Sequence, residues 1–421
     1  MGALRKIKQA YRSEPSFEQV VAEHPGFPRL IALKIDVQRR GVHYTERAAS
    51  AVDPAVHQLR TANIFGSRDN DIKPLPDSLL LRDGTSIVVD PTPLDKDPYF
   101  VDYIDGAFWL LDGETVHEEV ELWRKPQFFD KKTSSGIPMN LVATARPQRI
   151  NLFLSSYCHF WADDKGCQFC DIVNFTKQQK AVFKELPNRP RSSDIAETVA
   201  EALKEKGRFT TFCLTGGSIL KGEELFDLEV EQYIETLQAI GENFKTRKFP
   251  SQLVASAFSE RQLTRLYEET GLMSYTTDLE VFSERLFEWV CPGKAKHVGY
   301  MKWRDSLIRA VGIFGRGNVN TGIVGGVETA RPLGHQSESE ALARTLDEAE
   351  YLSSQGVTTH FSVWVPRPGS PFRDQLAPSL DYYIRLADGF HNLRVKYGLT
   401  VDFDDYRRCG NHPDTDLARL L

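Results

Sequence analysis

Cysteine is scarce in this sequence, with six residues of that type among 421. So few cysteines do not form the dense disulfide framework of a small secreted protein. Long apolar runs are lacking as well, and therefore no segment is predicted to span a membrane. The basic segment at residues 1–8 is not followed by the apolar stretch of a signal peptide. These absences predict a protein of the reducing cytoplasm.

The chain also lacks an excess of basic residues. Lys and Arg total 52 and Asp and Glu total 58, which gives a formal net charge of −6. Such a balance provides no electrostatic footprint for nucleic acid or for an anionic membrane, so we expect neither as a partner. Hydrophobic residues make up 41% of the chain, which is ordinary for a globular protein with a full core. Nothing in the sequence indicates an oligomeric state.

Residues 1–148 differ in pattern from the rest of the chain and carry no catalytic motif. Short runs with helical or strand periodicity alternate there with Asp-Gly turns. The predicted elements are helices at 6–11 and 17–23 and strands at 78–81, 86–89 and 106–111. This pattern predicts a small α+β domain or cap over residues 1–148.

From residue 149 onward, six short apolar runs alternate with amphipathic helical periods. The expected strands are 150–154, 209–215, 253–257, 273–278, 319–324 and 358–365. The expected helices are 194–206, 226–240, 260–269, 298–314, 339–355 and 381–397. Asp194 and Glu197 are placed as a capping box at the start of the first of these helices. Regular alternation of this kind predicts an α/β fold with a parallel sheet and right-handed crossovers.

Residues that could bind a ligand or a metal ion lie just after the predicted strands. In parallel α/β sheets, ligands bind beyond the carboxyl ends of the strands, so these segments are expected to meet at one edge. They are Cys158 after the first strand, 215–218 after the second, Asp278 with Glu280 after the fourth, 325–328 after the fifth and 366–371 after the sixth. This convergence predicts the site more firmly than any single motif.

Three of the six cysteines are close together, with the spacing C-x8-C-x2-C at Cys158, Cys167 and Cys170. Three thiolates suit an iron–sulfur cluster that keeps one iron without a protein ligand. A structural zinc ion is the second interpretation, but it needs a fourth ligand, for which only His159 and Asp171 are near. Simple packing of three buried cysteines is the third. We favour the cluster over zinc, and zinc over packing.

The cysteine loop resembles that of the radical S-adenosylmethionine (radical SAM) superfamily. The usual spacing there is C-x3-C-x2-C with an aromatic residue before the last cysteine, a position that Phe169 occupies. The sequence segments 158–161 and 167–172 are similar to those of a biotin-synthase-like subgroup, in which the gap between the first two cysteines is longer. They are most similar to the segments of radical SAM proteins from nitrilase-linked gene clusters. Segments 128–130 and 136–138 share this similarity. The resemblance covers roughly residues 125–375.

This resemblance implies an incomplete (β/α)6 TIM-like barrel at residues 149–375, closed by a C-terminal helix and tail at 376–421. It implies a [4Fe-4S] cluster on Cys158, Cys167 and Cys170, and S-adenosyl-L-methionine (SAM) as the second cofactor. Reductive cleavage of SAM would give a 5′-deoxyadenosyl radical that abstracts hydrogen from a small organic substrate. An electron donor such as flavodoxin or ferredoxin is the implied protein partner.

The same resemblance implies roles for residues at the strand ends. The turn at Gly216, Gly217 and Ser218 would receive the amino group of SAM, and Glu280 would bind the ribose. The remaining cofactor contacts implied are Phe169 beside the cluster and Ile323, Gly325 and Pro366 around the adenine. Without the resemblance, the glycines are an ordinary strand–helix turn, and Glu280 is a carboxylate at a helix N-terminus.

The chemistry after hydrogen abstraction is open. The sequence shows no cobalamin-binding domain and no auxiliary-cluster cysteines, so we expect a rearrangement, lyase or cyclisation step in specialised metabolism. Cys213 and Cys291 are interpreted as structural. Cys409 either covers the active site or belongs to a solvated terminus, and we favour the latter. Two other classes stay open: a non-enzymatic Fe–S carrier with a fourth cysteine ligand, and a zinc-stabilised barrel hydrolase.

Overall fold

The computed structural model describes residues 13–60, 75–155, 157–182, 189–399 and 410–420. Within them, the first part of the chain forms a mixed sheet with three helices. The helices are α1 (Phe17–Glu23), α2 (Arg29–Arg40) and α3 (Glu46–Ala51). The strands are β1 (Val42–Tyr44), β2 (Ser78–Leu81), β3 (Ser86–Val88), β4 (Tyr99–Ile104), β5 (Ala107–Asp112) and β6 (Thr115–Leu122). In the described residues their order is β1-β4-β5-β6-β2-β3.

The helix and strands predicted in the described part of this region lie close to observed elements, while the α+β domain over residues 1–148 stays a prediction. Helix α1 has the predicted bounds and begins with a capping box between Ser16 and Gln19. Of the three predicted strands, β2 matches fully, β3 ends one residue early and β5 is shifted by one residue. The predicted helix at 6–11 lies outside the described residues.

The second sheet carries the βα alternation. Its strands are β7 (Ala143–Ala145), β8 (Arg149–Ser155), β9 (Thr211–Gly216), β10 (Ser251–Val254), β11 (Ser274–Thr276), β12 (Val319–Gly325) and β13 (Thr358–Val363). Across the described residues they lie in the order β13-β12-β11-β10-β9-β8-β7. Strands β8 to β13 are parallel and neighbour one another in chain order. Only β7, antiparallel to β8, was absent from the prediction.

Helices follow the strands of this sheet. They are α4 (Met139–Val142), α5 (His159–Ala162), α6 (Ile172–Val182), α7 (Ser192–Ala202), α8 (Asp227–Gly241), α9 (Glu260–Glu269), α10 (Glu284–Val290), α11 (Pro292–His297), α12 (Tyr300–Phe314), α13 (Glu338–Ser354), α14 (Leu380–Tyr397) and α15 (Pro413–Leu420). Helix α9 has the predicted bounds, and its capping box joins Ser259 and Gln262. Gly325, at the end of β12, lies against Phe361 and against Leu386 of α14.

The predicted capping box of Asp194 and Glu197 is wrong. Helix α7 begins at Ser192, so Asp194 already lies inside the first turn and cannot be the cap. Both carboxylates instead accept hydrogen bonds from an upstream loop, Asp194 from Ser135 and Glu197 from Ser134. The two side chains therefore hold a neighbouring segment instead of the helix end.

The C-terminal segment packs against the fold, which corrects the prediction of a solvated terminus for the described residues 410–412: Gly410 is buried, and Asn411 and His412 are half-buried. Lys34 of α2 donates a 2.6 Å hydrogen bond to Asp416 of α15, and neither side chain is exposed to solvent. Arg394 pairs with Asp414 beside it. The first part of the chain is thus fastened to the last helix. Cys409 lies outside the described residues.

The N-terminal part of the chain contacts the larger sheet and its helices at two places. Gln58 donates a 3.0 Å hydrogen bond to the carbonyl oxygen of Ala145 in β7. At the second place, Arg39 donates a 2.9 Å bond to the carbonyl oxygen of Pro378, which precedes α14. No helix among the described residues combines the length and apolar character that crossing a membrane requires.

Candidate functional site

The cysteine loop follows the first parallel strand and packs against the turn that follows the second. Cys158 caps helix α5, and the amide of His159 donates a 2.9 Å hydrogen bond to the carbonyl oxygen of Ser218. The amide of Gln168 donates a 2.8 Å bond to the carbonyl oxygen of Val290, at the end of α10. The loop is therefore fixed from two sides. Its position at the carboxyl ends of the strands is the predicted one.

A cavity of about 210 Å³ opens beside this loop. It is lined by Cys158, Phe160, Trp161, Cys167, Phe169, Cys170, Ile172, Thr215, Gly216, Gly217, Ser218, Val254, Ala255, Asp278, Glu280, Lys294 and Trp303. The three cysteines, Phe169, the glycine turn and Glu280 are thus brought together as the sequence predicts. The ends of four different strands contribute to one small space.

Burial shapes the chemistry of the three thiols. It raises the pKa of Cys158 and raises the pKa of Cys170 to about 12, the latter opposed by the indole of Trp161. A hydrogen bond with Cys291 and burial raise the pKa of Cys167 well above its usual range. Thiols in this state ionise when a metal ion coordinates them, because the ion supplies the compensating positive charge.

A single zinc ion requires its sulfur ligands to lie close together. Zn–S bonds are about 2.3 Å, so three sulfurs on one ion would all lie within roughly 4.6 Å of one another. In the described part of the chain, the group of metal-ligating atoms within 4.8 Å of one another is His159, Asp163 and His297, not the three cysteines. Among the described residues, the three cysteines are therefore not gathered as tightly as one zinc ion requires.

The glycine turn after β9 is needed for close packing. A Cβ atom on Gly217 would lie 2.1 Å from the carbonyl oxygen of Tyr157 and 2.5 Å from the Cβ of Cys158. At Gly216 the nearest atoms, the Tyr233 hydroxyl and the Ser155 amide, would lie at 3.2 and 3.3 Å. Glycine at position 217 therefore lets the cysteine loop lie directly on the turn.

Behind this turn lies a carboxylate that the sequence analysis missed. Glu229 of α8 accepts a 2.8 Å hydrogen bond from the amide of Ile219 and a 3.0 Å bond from the hydroxyl of Ser256. The Ser256 and Ser218 hydroxyls are 2.9 Å apart. Burial raises the pKa of Glu229 to about 7. Glu229 is thus connected to Ser218 through the Ser256 hydroxyl. It belongs to no recognisable sequence motif.

Opposite the turn, Glu280 pairs with a buried lysine. Lys294 Nζ donates a 2.7 Å hydrogen bond to Glu280 Oε1 and another to the carbonyl oxygen of Asp278. It also lies 4.5 Å from the centroid of the Trp303 ring. Burial raises the pKa of Glu280 to about 7, opposed by the charge of Lys294. No sequence motif marked Lys294 as a residue of the site.

The backbone at Glu280 explains why it faces the cavity. Its φ is +68°, an uncommon conformation for a residue with a side chain. Its amide donates a 3.0 Å bond to the carbonyl oxygen of Gly322, and its own carbonyl accepts a 3.0 Å bond from Val324. Glu280 therefore extends the pairing of β11 with β12 and is not a residue at a helix N-terminus.

Three predicted cofactor contacts lie outside this cavity in the described residues. Ile323 is buried within β12. Gly325 faces the helices, and its carbonyl oxygen accepts a 2.8 Å bond from the Tyr383 hydroxyl. The carbonyl oxygen of Pro366 lies 3.4 Å from Lys96 Nζ. These residues do lie at the carboxyl ends of β12 and β13, beside the cavity instead of in its wall.

Cys291 lies against the cysteine loop, although it is more than 120 positions from this loop in the sequence. Its thiol is fully buried and in hydrogen-bond contact with Cys167. Lys294 is near enough to both thiols to be affected by their charge. A fourth cysteine is thus adjacent to Cys167, and no sequence motif indicates this contact.

No family model matches the sequence. Over 311 residues the chain is 25% identical to the protein named bacteriochlorophyllide c C-7(1)-hydroxylase from Chlorobaculum limnaeum, covering 70% of this chain and 71% of that protein. It is similar to the solved structure of methylornithine synthase (TM-score 0.39, 18% identity, 60% of this chain and 70% of that one). A radical SAM methyltransferase from Sphaerobacter thermophilus gives a TM-score of 0.41 with 16% identity, covering 65% and 72%. With TM-scores this low, we infer function from the residues of the cavity.

Proposed function

We propose that this chain is a radical SAM enzyme that binds a [4Fe-4S] cluster through Cys158, Cys167 and Cys170. One observation carries the proposal: three thiols, a glycine turn and the Glu280–Lys294 pair line a single cavity at the carboxyl ends of parallel strands. The donor set fits the cluster, since thiolates are the preferred ligands of iron–sulfur centres. Three of them leave one iron for an outside ligand.

When bound, the cluster supplies the electron that cleaves SAM and so gives the hydrogen-abstracting radical. The protein supplies binding, orientation and shielding. Gly216 and Gly217 offer backbone carbonyls to the amino group of SAM, and Ser218 is supported there by Glu229. Glu280 accepts hydrogen bonds from the ribose hydroxyls, and Lys294 keeps this carboxylate in place. Phe169 and Trp161 exclude water from the sulfur atoms.

The cofactor and substrate need more room than the described cavity offers. Pockets for small molecules usually measure about 300–1,000 Å³, whereas this one measures about 210 Å³. We place the adenine beyond the cavity, toward Ile323, Gly325 and Pro366, because these residues lie at the neighbouring strand ends. The substrate, in this proposal, is a small organic molecule.

The reaction begins with hydrogen abstraction from carbon. Rearrangement, lyase or cyclisation chemistry is the proposed continuation, with a flavodoxin or ferredoxin as electron donor. The similarity to a protein named as a hydroxylase adds an oxidative outcome at the same carbon. Product analysis by mass spectrometry, with deuterium in the substrate, distinguishes these outcomes by where the label is lost.

Anaerobic reconstitution with iron and sulfide tests the proposal. We expect about four irons per chain and, after reduction with SAM present, 5′-deoxyadenosine. Cys158→Ala, Cys167→Ala and Cys170→Ala should each lose both. Cys213→Ala is the matched control: this cysteine is buried in β9, outside the cavity lining, and should retain both. No deoxyadenosine from the wild type, with full iron, would refute the enzymatic proposal.

An Fe–S carrier is the second candidate, because Cys291 lies in contact with Cys167. A carrier needs a fourth cysteine ligand and no SAM. In that case Cys291→Ala would lose as much iron as Cys167→Ala does. If Cys291→Ala keeps four irons and still forms 5′-deoxyadenosine, the carrier is excluded and Cys291 is a neighbour of the cluster.

A further inference from the structure

The long gap between Cys158 and Cys167 carries a second set of metal-ligating side chains. His159 and Asp163 are four residues apart around helix α5, so their side chains lie on the same face. His297, at the end of α11, lies opposite them. One donor atom from each of the three residues lies within 4.8 Å of the others. We propose that His159, Asp163 and His297 bind a divalent transition-metal ion, separate from the three cysteines.

The donor set is suited to such an ion. Two imidazole nitrogens and one carboxylate oxygen are ligands of zinc and of ferrous iron, and they leave further positions for water. The His159 and His297 rings are nearly perpendicular, with centroids 5.8 Å apart, so neither ring stacks over the space between them. His159 and His297 are half-buried and Asp163 is exposed, so an ion can enter from solvent.

The nitrogen Nε2 of His297 supports the proposal independently. This atom is buried and has no hydrogen-bond partner among the described residues. The carboxylate of Asp163 lies 3.7 Å away, which is too far for a hydrogen bond. Buried polar atoms of native proteins usually have a hydrogen-bond partner or an ordered water, so this nitrogen is available to a ligand. A metal ion between His297 and Asp163 would satisfy both.

One cation already contacts the carboxylate. Lys296 Nζ lies 3.2 Å from Asp163 Oδ2. Its side chain is 53% exposed, and a solvent-exposed ion pair contributes little free energy. The ammonium group can therefore turn into solvent when an ion binds. Because it competes for the same oxygen, its removal should increase the metal affinity.

The ion would fasten the outside of the cluster loop to α11. This helix is already joined to the loop by a 3.0 Å hydrogen bond from the Gly293 amide to the carbonyl oxygen of Lys165. It also carries Lys294, which faces the cavity on the other side. The metal site would thus connect the additional residues of the loop to the segment that positions Glu280. The eight residues between Cys158 and Cys167 would therefore supply two ligands of the metal site.

Zinc titration of the cluster-loaded protein tests the site, because the cluster then occupies the cysteines. Calorimetry should give one bound Zn²⁺ per chain, and zinc-edge X-ray absorption should show nitrogen and oxygen ligands near 2.0–2.1 Å with no sulfur near 2.3 Å. His159→Asn, Asp163→Asn and His297→Asn should each weaken binding at least tenfold. Lys296→Gln should bind severalfold more tightly.

His335→Asn is the matched control, since His335 lies 3.3 Å from Glu340 but this pair is not part of a group of three ligands in the described residues. Its zinc affinity should equal that of the wild type. A sulfur signal at the zinc edge, or unchanged affinity in His297→Asn, would overturn the proposal. The same titration on a variant with alanine at positions 158, 167 and 170 separates this result from failure of the cluster to assemble, because the site should survive there.

Discussion

Lys294 and Glu280 form a 2.7 Å ion pair in the wall of the cavity, with 10% and 17% of their side chains exposed. Removing one partner of a nearly buried pair leaves an uncompensated charge, at a cost of about 3–5 kcal/mol. We therefore expect Lys294→Met to lower the free energy of unfolding by this amount, measured in urea. The double variant Glu280→Gln/Lys294→Met should recover much of the loss. If the two single effects simply add, the side chains are not coupled as the structure shows.

Substitution of Gly217 should disturb the cluster loop without a change of charge. In Gly217→Ala, the new methyl group would lie 2.1 Å from the carbonyl oxygen of Tyr157, so the loop must move away from the turn. We expect iron content after reconstitution to fall well below that of the wild type. Gly312→Ala is the control, because a Cβ there meets no atom within 4 Å inside α12. It should keep its iron and gain about 0.5–1 kcal/mol of stability. Equal iron in both variants would contradict the packing argument.

His360 makes stability depend on pH. Burial, with the charges of Arg394 and Arg149, lowers its pKa to about 3, whereas the unfolded chain titrates near 6.5. Between these values the unfolded chain binds a proton that the folded protein does not, so stability present above pH 6.5 is lost as the pH falls. Urea unfolding at pH 7, 6 and 5 should show that the wild type loses about 2 kcal/mol more stability than His360→Gln between pH 7 and pH 5, because the slope approaches about 1.4 kcal/mol per pH unit only below pH 6. Parallel slopes would show that His360 is protonated in the folded protein.

The ion pair between Lys34 and Asp416 predicts a second effect of pH on stability. Here the destabilisation caused by a substitution becomes smaller as the pH falls. Burial raises the pKa of Asp416 to about 6, opposed by the charge of Lys34. Lys34→Met should cost about 3–5 kcal/mol at pH 7, where the carboxylate is charged, and less at pH 5, where it is protonated. Lys396→Met, which removes an exposed pair with Glu350, should leave stability nearly unchanged. A Lys34→Met effect independent of pH would contradict this account.

The order and direction of the six parallel strands could be predicted because apolar runs and helical periods alternate regularly from residue 149. Element bounds differed by at most four residues, since periodicity marks the centre of a strand better than its end. Strand β7 was missed because three residues carry too little pattern. The capping-box prediction failed because the helix started two residues earlier than its apolar period indicates. The boundaries 1–148, 149–375 and 376–421 stay predictions.

Within the site, the residues that could be predicted lie in local motifs: three cysteines, Phe169, the glycine turn and Glu280. Those that were missed come to the site from elsewhere in the fold. Glu229 comes from the first turn of α8, Lys294 from the short helix α11 and Cys291 from a segment more than 120 positions after Cys167. Spacing along a sequence carries no signal for such contacts. Only the path of the chain in three dimensions brings them together.

The buried pair of Lys34 and Asp416 also sets an order of events during synthesis. The two residues are 382 positions apart, and ribosomes add about 5–20 residues per second. Roughly 20–75 seconds therefore pass between the appearance of the lysine and that of its partner. During this interval the first helices cannot complete their packing, because the lysine has no opposite charge to bury against. The first part of the chain to be made is thus among the last to reach its final structure.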